Sequence, residues 1–198
     1  MNKANKITIV MSLIIIILLL FPFDQVGLEF PNYIVNGNIV VNLKYIVAGV
    51  LFVIASLTDF LDGYTARKYN MITDFGKMMD AISDKLLTNS VLIILACDGR
   101  ISTVVAVVIV TRDIVVDSIK MVIGNKGAAV AAIKIAKVKT ATLMIGLVLT
   151  FFYNLPFEII NIRVSDFFLY FATIMSVISM IEYYKLNKNL ILPANEKA

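Results

Sequence analysis

SLTDFLDGYTARKYNMITDFGKMMDAISDKLL, running from Ser56 to Leu87, breaks into a chain otherwise dominated by long apolar runs. Asp59 and Asp62 stand three residues apart and Asp80 and Asp84 four apart, spacings that put each pair on one face of a helix. The flanking apolar residues place the first pair at the end of one helix and the second at the start of the next. A short connection makes those helices antiparallel neighbours and turns four carboxylates toward a common volume. Charges gathered in this way repel, and a single charged side chain in a membrane helix costs at least about 2.5–3.5 kcal/mol. Divalent cations offset that cost and place a phosphate. Gly63 and Ala66 leave little bulk at the helix end, Gly76 does the same one turn before Asp80, and Arg67 offers a fixed fork to phosphate oxygens. Taken singly, each aspartate reads as a solvated helix end and each glycine as a packing residue. Their combination in one window points to a phosphate site.

Outward from this stretch, 60% of the 198 residues are hydrophobic and 16% charged, a balance that finds its solvent in lipid. Apolar runs near the roughly 20 residues that span a bilayer predict membrane helices over 6–21, 40–62, 77–97, 101–123, 135–153 and 164–183. The expected fold is an all-α polytopic protein, one integral-membrane catalytic domain over 1–198. Lys3 and Lys6 precede the run Ile7 to Phe21 as in a signal peptide, but no small-residue cleavage site follows, so it counts as a span. With the N-terminus inside, the inner side receives Lys3, Lys6, Arg67, Lys68, Lys77, Lys126, Lys134, Lys137, Lys139, Lys185, Lys188 and Lys197, and the outer side only Lys44, Arg100 and Arg163. Both termini are therefore expected in the cytoplasm, with the acidic stretch at the cytoplasmic face of the cell membrane. Residues 22–39 form an outer loop to which composition assigns no chemistry, and the tail from Leu186 reads as a polar, frayed end.

Composition also excludes. Histidine is absent and Cys97 is the one cysteine, which removes His-based triads, zinc clusters and intramolecular disulfides. Acid–base and metal chemistry must rest on carboxylates, whose oxygens favour magnesium, calcium or manganese. The net charge of +4 is spread beside apolar segments and forms no soluble basic face, so no nucleic-acid partner is expected.

The stretch resembles the signature of the CDP-alcohol phosphotransferases, D-x-x-D-G-x-x-A-R-x8-G-x3-D-x3-D. Every fixed position is filled, by Asp59, Asp62, Gly63, Ala66, Arg67, Gly76, Asp80 and Asp84. The resemblance implies a six-helix membrane fold, a homodimer among membrane lipids, and Mg2+ or Mn2+, with two ions expected. It implies Asp59, Asp62 and Asp80 as metal ligands, Asp84 as ligand and general base, and Asp80 and Asp84 as the catalytic pair. Asp62, Gly63, Ala66, Arg67 and Gly76 would border the CDP-lipid, CDP-diacylglycerol.

Outside the motif the chain is similar to the branch of that family whose acceptor is sn-glycerol 3-phosphate. Asn5-Lys6-Ile7-Thr8 resembles the branch's P-N-x-[IL]-T opening, Arg112-Asp113 its Arg-Glu pair, and Lys137-Val138-Lys139-Thr140 its G-K-x-K-T segment. Ala4, Met11, Asp113 and Ala136 depart from the branch's usual proline, arginine, glutamate and glycine. A phosphorylated acceptor calls for positive charge, and Thr8, Arg112, Lys120, Lys137 and Lys139 are the expected contacts to its phosphate. Arg112, Asp113, Asp117 and Lys120 form a polar stripe at helical spacing, which reads equally as an internal ion-pair network fastening its helix. Lys137 and Lys139 also read as positive-inside residues.

Three other readings stay open at this level. Within the class, phosphatidylglycerol or an inositol phosphate would serve as acceptor. A cation-coupled transporter would place the aspartates at mid-membrane on broken helices and gives no reason for Arg67. A structural protein that kept the motif would bind metal and CDP-lipid without releasing CMP.

Overall fold

The structure, a computed structural model, describes residues 3–37, 39–68, 74–125 and 134–191; for 3–6, 62–63, 65–68, 74–81, 125 and 189–191 it describes the backbone alone. Among the described residues the chain is mostly helical, with α1 (Lys3–Leu20), α2 (Leu43–Lys68), α3 (Asp74–Cys97), α4 (Thr103–Asn125), α5 (Lys134–Phe151) and α6 (Val164–Ile191). The four isoleucines 14–17 favour strand on propensity, yet they lie in the middle of α1. Leu43–Leu61 and Val164–Lys188 are each long and apolar enough to cross a membrane.

Three boundaries differ from the expectation. The loop over 22–39 is not featureless: β1 (Asn32–Val35) pairs antiparallel with β2 (Ile39–Asn42), with Asn32 opposite Asn42 and Val35 opposite Ile39. Asn36 and Gly37 turn the hairpin at φ 51° and 76°, a left-handed conformation that these two residue types tolerate best. Because β2 runs through Asn42, α2 starts at Leu43 and not at 40, and Asn42 Oδ1 caps it by accepting from Lys44 N at 2.8 Å. At the other end of the chain α6 continues to Ile191, so the tail is helical well past Leu186, and residues 192–198 lie outside the described region.

The chain divides into two compact units. The first comprises Met1–Arg100 and Val148–Ile162. In it α1 packs against both α2 and α3, more closely than those two helices pack on each other among the described residues. Ile15, Phe52, Leu87, Leu92, Leu95 and Phe151 fill its core. Gly49 makes room there: a Cβ at that position would stand 2.7 Å from Phe151 Cβ. A polar clamp joins the ends of several elements of this unit. The Arg100 guanidinium carbon lies 3.4 Å from the centre of the Tyr45 ring and 4.4 Å from that of Tyr153. Its Nη2 donates to Tyr153 Oη at 2.9 Å, Asn42 N donates to the same oxygen at 2.7 Å, and Tyr45 Oη donates to Asp98 Oδ2 at 2.7 Å. Arg100 is brought there by the end of α3, where Gly99 takes φ 69° and Arg100 N bonds back to Leu95 O at 2.9 Å.

The second unit comprises Ile101–Leu147 and Arg163–Ala198. Here α4 packs along α6, and Val116 and Tyr183 form a buried cluster with Ile135, Ala136 and Met180. Gly146 faces Leu169 so closely that a Cβ would meet its side chain at 2.9 Å.

Candidate active site

The helical backbone of α2 is continuous through Asp59 and Asp62 to Lys68, and that of α3 through Asp80 and Asp84. Each acidic pair therefore shares one helix face, as the spacing requires. From Leu43 to Asp59 is a rise of about 24 Å at 1.5 Å per residue, close to a bilayer core in length. The acidic end of α2 thus lies far from the end tied into the hairpin. Asp59 and Asp84 are both half-buried. Next to Asp84, Ser83 is fully buried, and Thr88 Oγ1 donates to the Asp84 backbone carbonyl at 2.7 Å, binding that turn of α3 to itself. The side chains of Asp62, Ala66, Arg67 and Asp80, and the surroundings of Gly63 and Gly76, lie outside the described residues.

A donor set of aspartate oxygens on two helices suits a hard divalent cation. No histidine exists to compete, and the exposed thiol of Cys97 belongs to the last residue of α3, at the opposite end of that helix. The chemistry of the donors therefore fits Mg2+ or Mn2+.

Thr8 lies on α1, fully buried in the first unit. Its carbonyl accepts from Ser12 Oγ at 2.7 Å, while its own Oγ1 has no hydrogen-bond partner among the described residues. A buried hydroxyl without a partner is costly, which makes Thr8 a natural place for a polar ligand or water to dock.

The second unit holds a buried charge network. Arg112 and Asp113 of α4 and Lys139 of α5 are 7%, 8% and 5% exposed. Arg112 Nη1 donates to Asp113 Oδ1 at 2.9 Å, and Lys139 Nζ donates to both Asp113 oxygens at 3.0 and 3.2 Å. Arg112 also donates from Nε to Ser176 O at 3.3 Å and from Nη2 to Ser179 Oγ at 2.6 Å, both on α6. The expected stripe on α4 is thus interior at Arg112 and Asp113, half-buried at Asp117 and exposed at Lys120, and its ion-pair reading is realised at Asp113. Lys120 is exposed, its ammonium 5.5 Å from the centre of the Tyr183 ring, and Lys137 is exposed. Of the five expected acceptor contacts, the structure brings Arg112 and Lys139 together.

A family model described as CDP-alcohol phosphatidyltransferase matches residues 1–180. The chain belongs to this family. Among similar CDP-alcohol phosphatidyltransferases, one from Bacillus subtilis is 35% identical over 197 residues, covering 98% of this chain and 99% of that protein. A second, from Rickettsia felis, is 32% identical over 174 residues, covering 81% and 96%. A third, from Mycoplasma genitalium, is 33% identical over 170 residues, covering 81% and 72%. All three are named CDP-diacylglycerol–glycerol-3-phosphate 3-phosphatidyltransferase. As a member of the CDP-alcohol phosphatidyltransferase family, the chain is an enzyme, a transferase of phospholipid biosynthesis.

Sequence reading of this family member missed the α6 side of the charge network. Ser176, Ser179 and Tyr183 recur at helical spacing inside an apolar run, and that polar stripe was the signal available. It also missed the Arg100 clamp, where Arg100 had registered only as an outer-side charge.

Proposed function

We propose that this chain moves the phosphatidyl group of CDP-diacylglycerol onto sn-glycerol 3-phosphate, giving phosphatidylglycerophosphate and CMP. One observation carries the reading: similarity over nearly the whole chain to a protein named for that reaction, in a sequence that fills all eight fixed positions of the aspartate motif.

The motif residues divide the work. Asp84 takes the proton from the acceptor hydroxyl, whose oxygen then forms a bond to the lipid-linked phosphorus while the bond from that phosphorus to the CMP oxygen breaks. Gly63 and Ala66 let the CDP moiety approach the helix backbone, Gly76 does the same on α3, and Arg67 holds phosphate oxygens. Asp59, Asp62, Asp80 and Asp84 would hold one or two divalent cations, Mg2+ or Mn2+, which when bound supply positive charge against the donor's diphosphate. Thr8, Arg112, Lys120, Lys137 and Lys139 serve the phosphate of the acceptor. The gathering of the buried Arg112 guanidinium and Lys139 ammonium at Asp113 supports this role, because charge-assisted donors of this kind hold phosphate oxygens.

We further propose that all six helices cross the cell membrane, with both termini and the aspartate site on the cytoplasmic side, and that the enzyme works as a homodimer. Large apolar side chains exposed on several helices support the membrane reading, among them Val10 and Ile17 of α1, Val107 of α4, and Phe167 and Ile174 of α6. The lysine and arginine asymmetry supports the orientation.

The test is CMP release from CDP-diacylglycerol by the purified protein, with sn-glycerol 3-phosphate, phosphatidylglycerol and inositol phosphate offered in turn. Release with sn-glycerol 3-phosphate alone is the expected result. Release with another acceptor instead overturns the substrate assignment, and release with none overturns the activity.

A further inference from the structure

The hairpin has two unlike faces. Tyr33 pairs with Val41; Val41 is buried, so this side of the ribbon packs inward at β2, while Tyr33 on β1 is 55% exposed. Ile34 pairs with Val40 on the other side, and these two are 70% and 57% exposed. A solvated face of a two-stranded ribbon ordinarily carries polar residues. Here its centre is an aliphatic pair, and residues 32–42 contain no charged side chain. The preceding turn exposes Val26 and Leu28 as well, next to the exposed acids Asp24 and Glu29.

This ribbon is held fast to the end of a membrane-length helix. β2 ends at Asn42 and the apolar segment of α2 opens at Leu43. Leu43 N donates to Pro31 O at 3.1 Å, and the Asn42 amide is fixed by Tyr153 Oη, itself held by Arg100. Tyr45 and Tyr153, stacked about Arg100 at this level, are the residue types that collect where a bilayer meets water.

We propose that the outward face of the β1–β2 hairpin, centred on Ile34 and Val40, lies in the interfacial layer of the lipid bilayer and fixes the depth at which α2 enters it. This rests on the membrane-spanning reading of α2. Lipid is the occupant because the face is continuous with the start of that span, is apolar, and lacks the charge with which a soluble partner would be recognised. Since α2 is one unbroken helix, an anchor at Leu43 also sets the height of Asp59 and Asp62 at its far end.

The chain has no tryptophan, so an Ile34→Trp variant carries a single reporter. The full-length variant is reconstituted in phosphatidylcholine vesicles containing lipids brominated at successive depths of the acyl chain, with CMP release as the check on folding. Emission shifted to the blue of an aqueous indole, and quenched most by bromines nearest the headgroup, is the expected result. Water-like emission without quenching overturns the proposal. Blue-shifted emission that no bromolipid quenches also overturns it, since the face is then covered by a second copy. Ile54→Trp, at a position of α2 that is 43% exposed, separates this from the membrane reading. If that probe is unquenched, α2 is not in lipid; if it is quenched and the Ile34→Trp probe is not, the hairpin proposal alone fails. Val40→Trp, directly opposite, repeats the test should the first variant fold poorly.

Discussion

Lys139 of α5 grips both carboxylate oxygens of Asp113 of α4, at 3.0 and 3.2 Å, in a setting where both residues are less than a tenth exposed. Arg112 shares the same Oδ1 at 2.9 Å, so one acid neutralises part of two buried cations. Removing the acid takes this carboxylate from both. Asp113→Ala is expected to cost about 3–5 kcal/mol, the usual penalty for breaking a buried ion pair. Adding Lys139→Met should return a good part of that loss, because one of the two buried cations goes with it. Thermal unfolding in detergent reads both; equal stability of wild type and Asp113→Ala would remove the network from any structural role.

Asp84→Asn should lower kcat for CMP release by about 10²- to 10⁴-fold, the range attached to a lost general base. Donor binding should persist, since the amide keeps the shape of the side chain. Equilibrium binding of CDP-diacylglycerol beside the turnover assay separates the two effects. Undiminished turnover takes Asp84 out of the proton-transfer role.

Lys137 is exposed on α5, and among the described residues no buried partner is paired with it. Lys137→Ala should raise KM for sn-glycerol 3-phosphate more than KM for CDP-diacylglycerol, and the effect should shrink as salt screens the charge. Equal changes in both constants would contradict the assignment of this lysine to the acceptor.

Two glycines make a matched pair. At Gly49 an added Cβ meets Phe151 Cβ at 2.7 Å and its Cγ at 3.3 Å, and Phe151 is fully buried, so Gly49→Ala should destabilise by about 1–3 kcal/mol. At Gly124 nothing among the described residues lies within 4 Å, and Gly124→Ala on α4 should instead stabilise by up to about 1 kcal/mol. Midpoints from thermal melts of the two variants, moving in opposite directions, are the expected pattern.

The helices were legible because length and apolarity speak for each segment alone: Ile7 to Phe21 announces α1 without knowing what α1 touches. The motif was legible for a related reason, since Asp59, Asp62, Asp80 and Asp84 encode their placement in spacing. The hairpin was missed although Asn36-Gly37 sits between two β-branched runs, because composition of the whole loop hid a two-residue signal. The partners of Arg112 were hidden more deeply. Ser176 and Ser179 lie 64 and 67 residues away in the chain, and no periodicity relates residues on different helices. Spacing likewise assigned Lys139 a positive charge but not the carboxylate that holds it.

The claim on which the account turns is that acidic groups of α2 and α3 act as one centre for divalent ions and the donor diphosphate. Anomalous scattering from crystals of the protein grown with Mn2+ and CDP-diacylglycerol measures this directly. The account predicts manganese peaks bordered by oxygens of Asp59, Asp62, Asp80 and Asp84 with the diphosphate against them. Manganese bound elsewhere, with these four side chains turned apart, contradicts it.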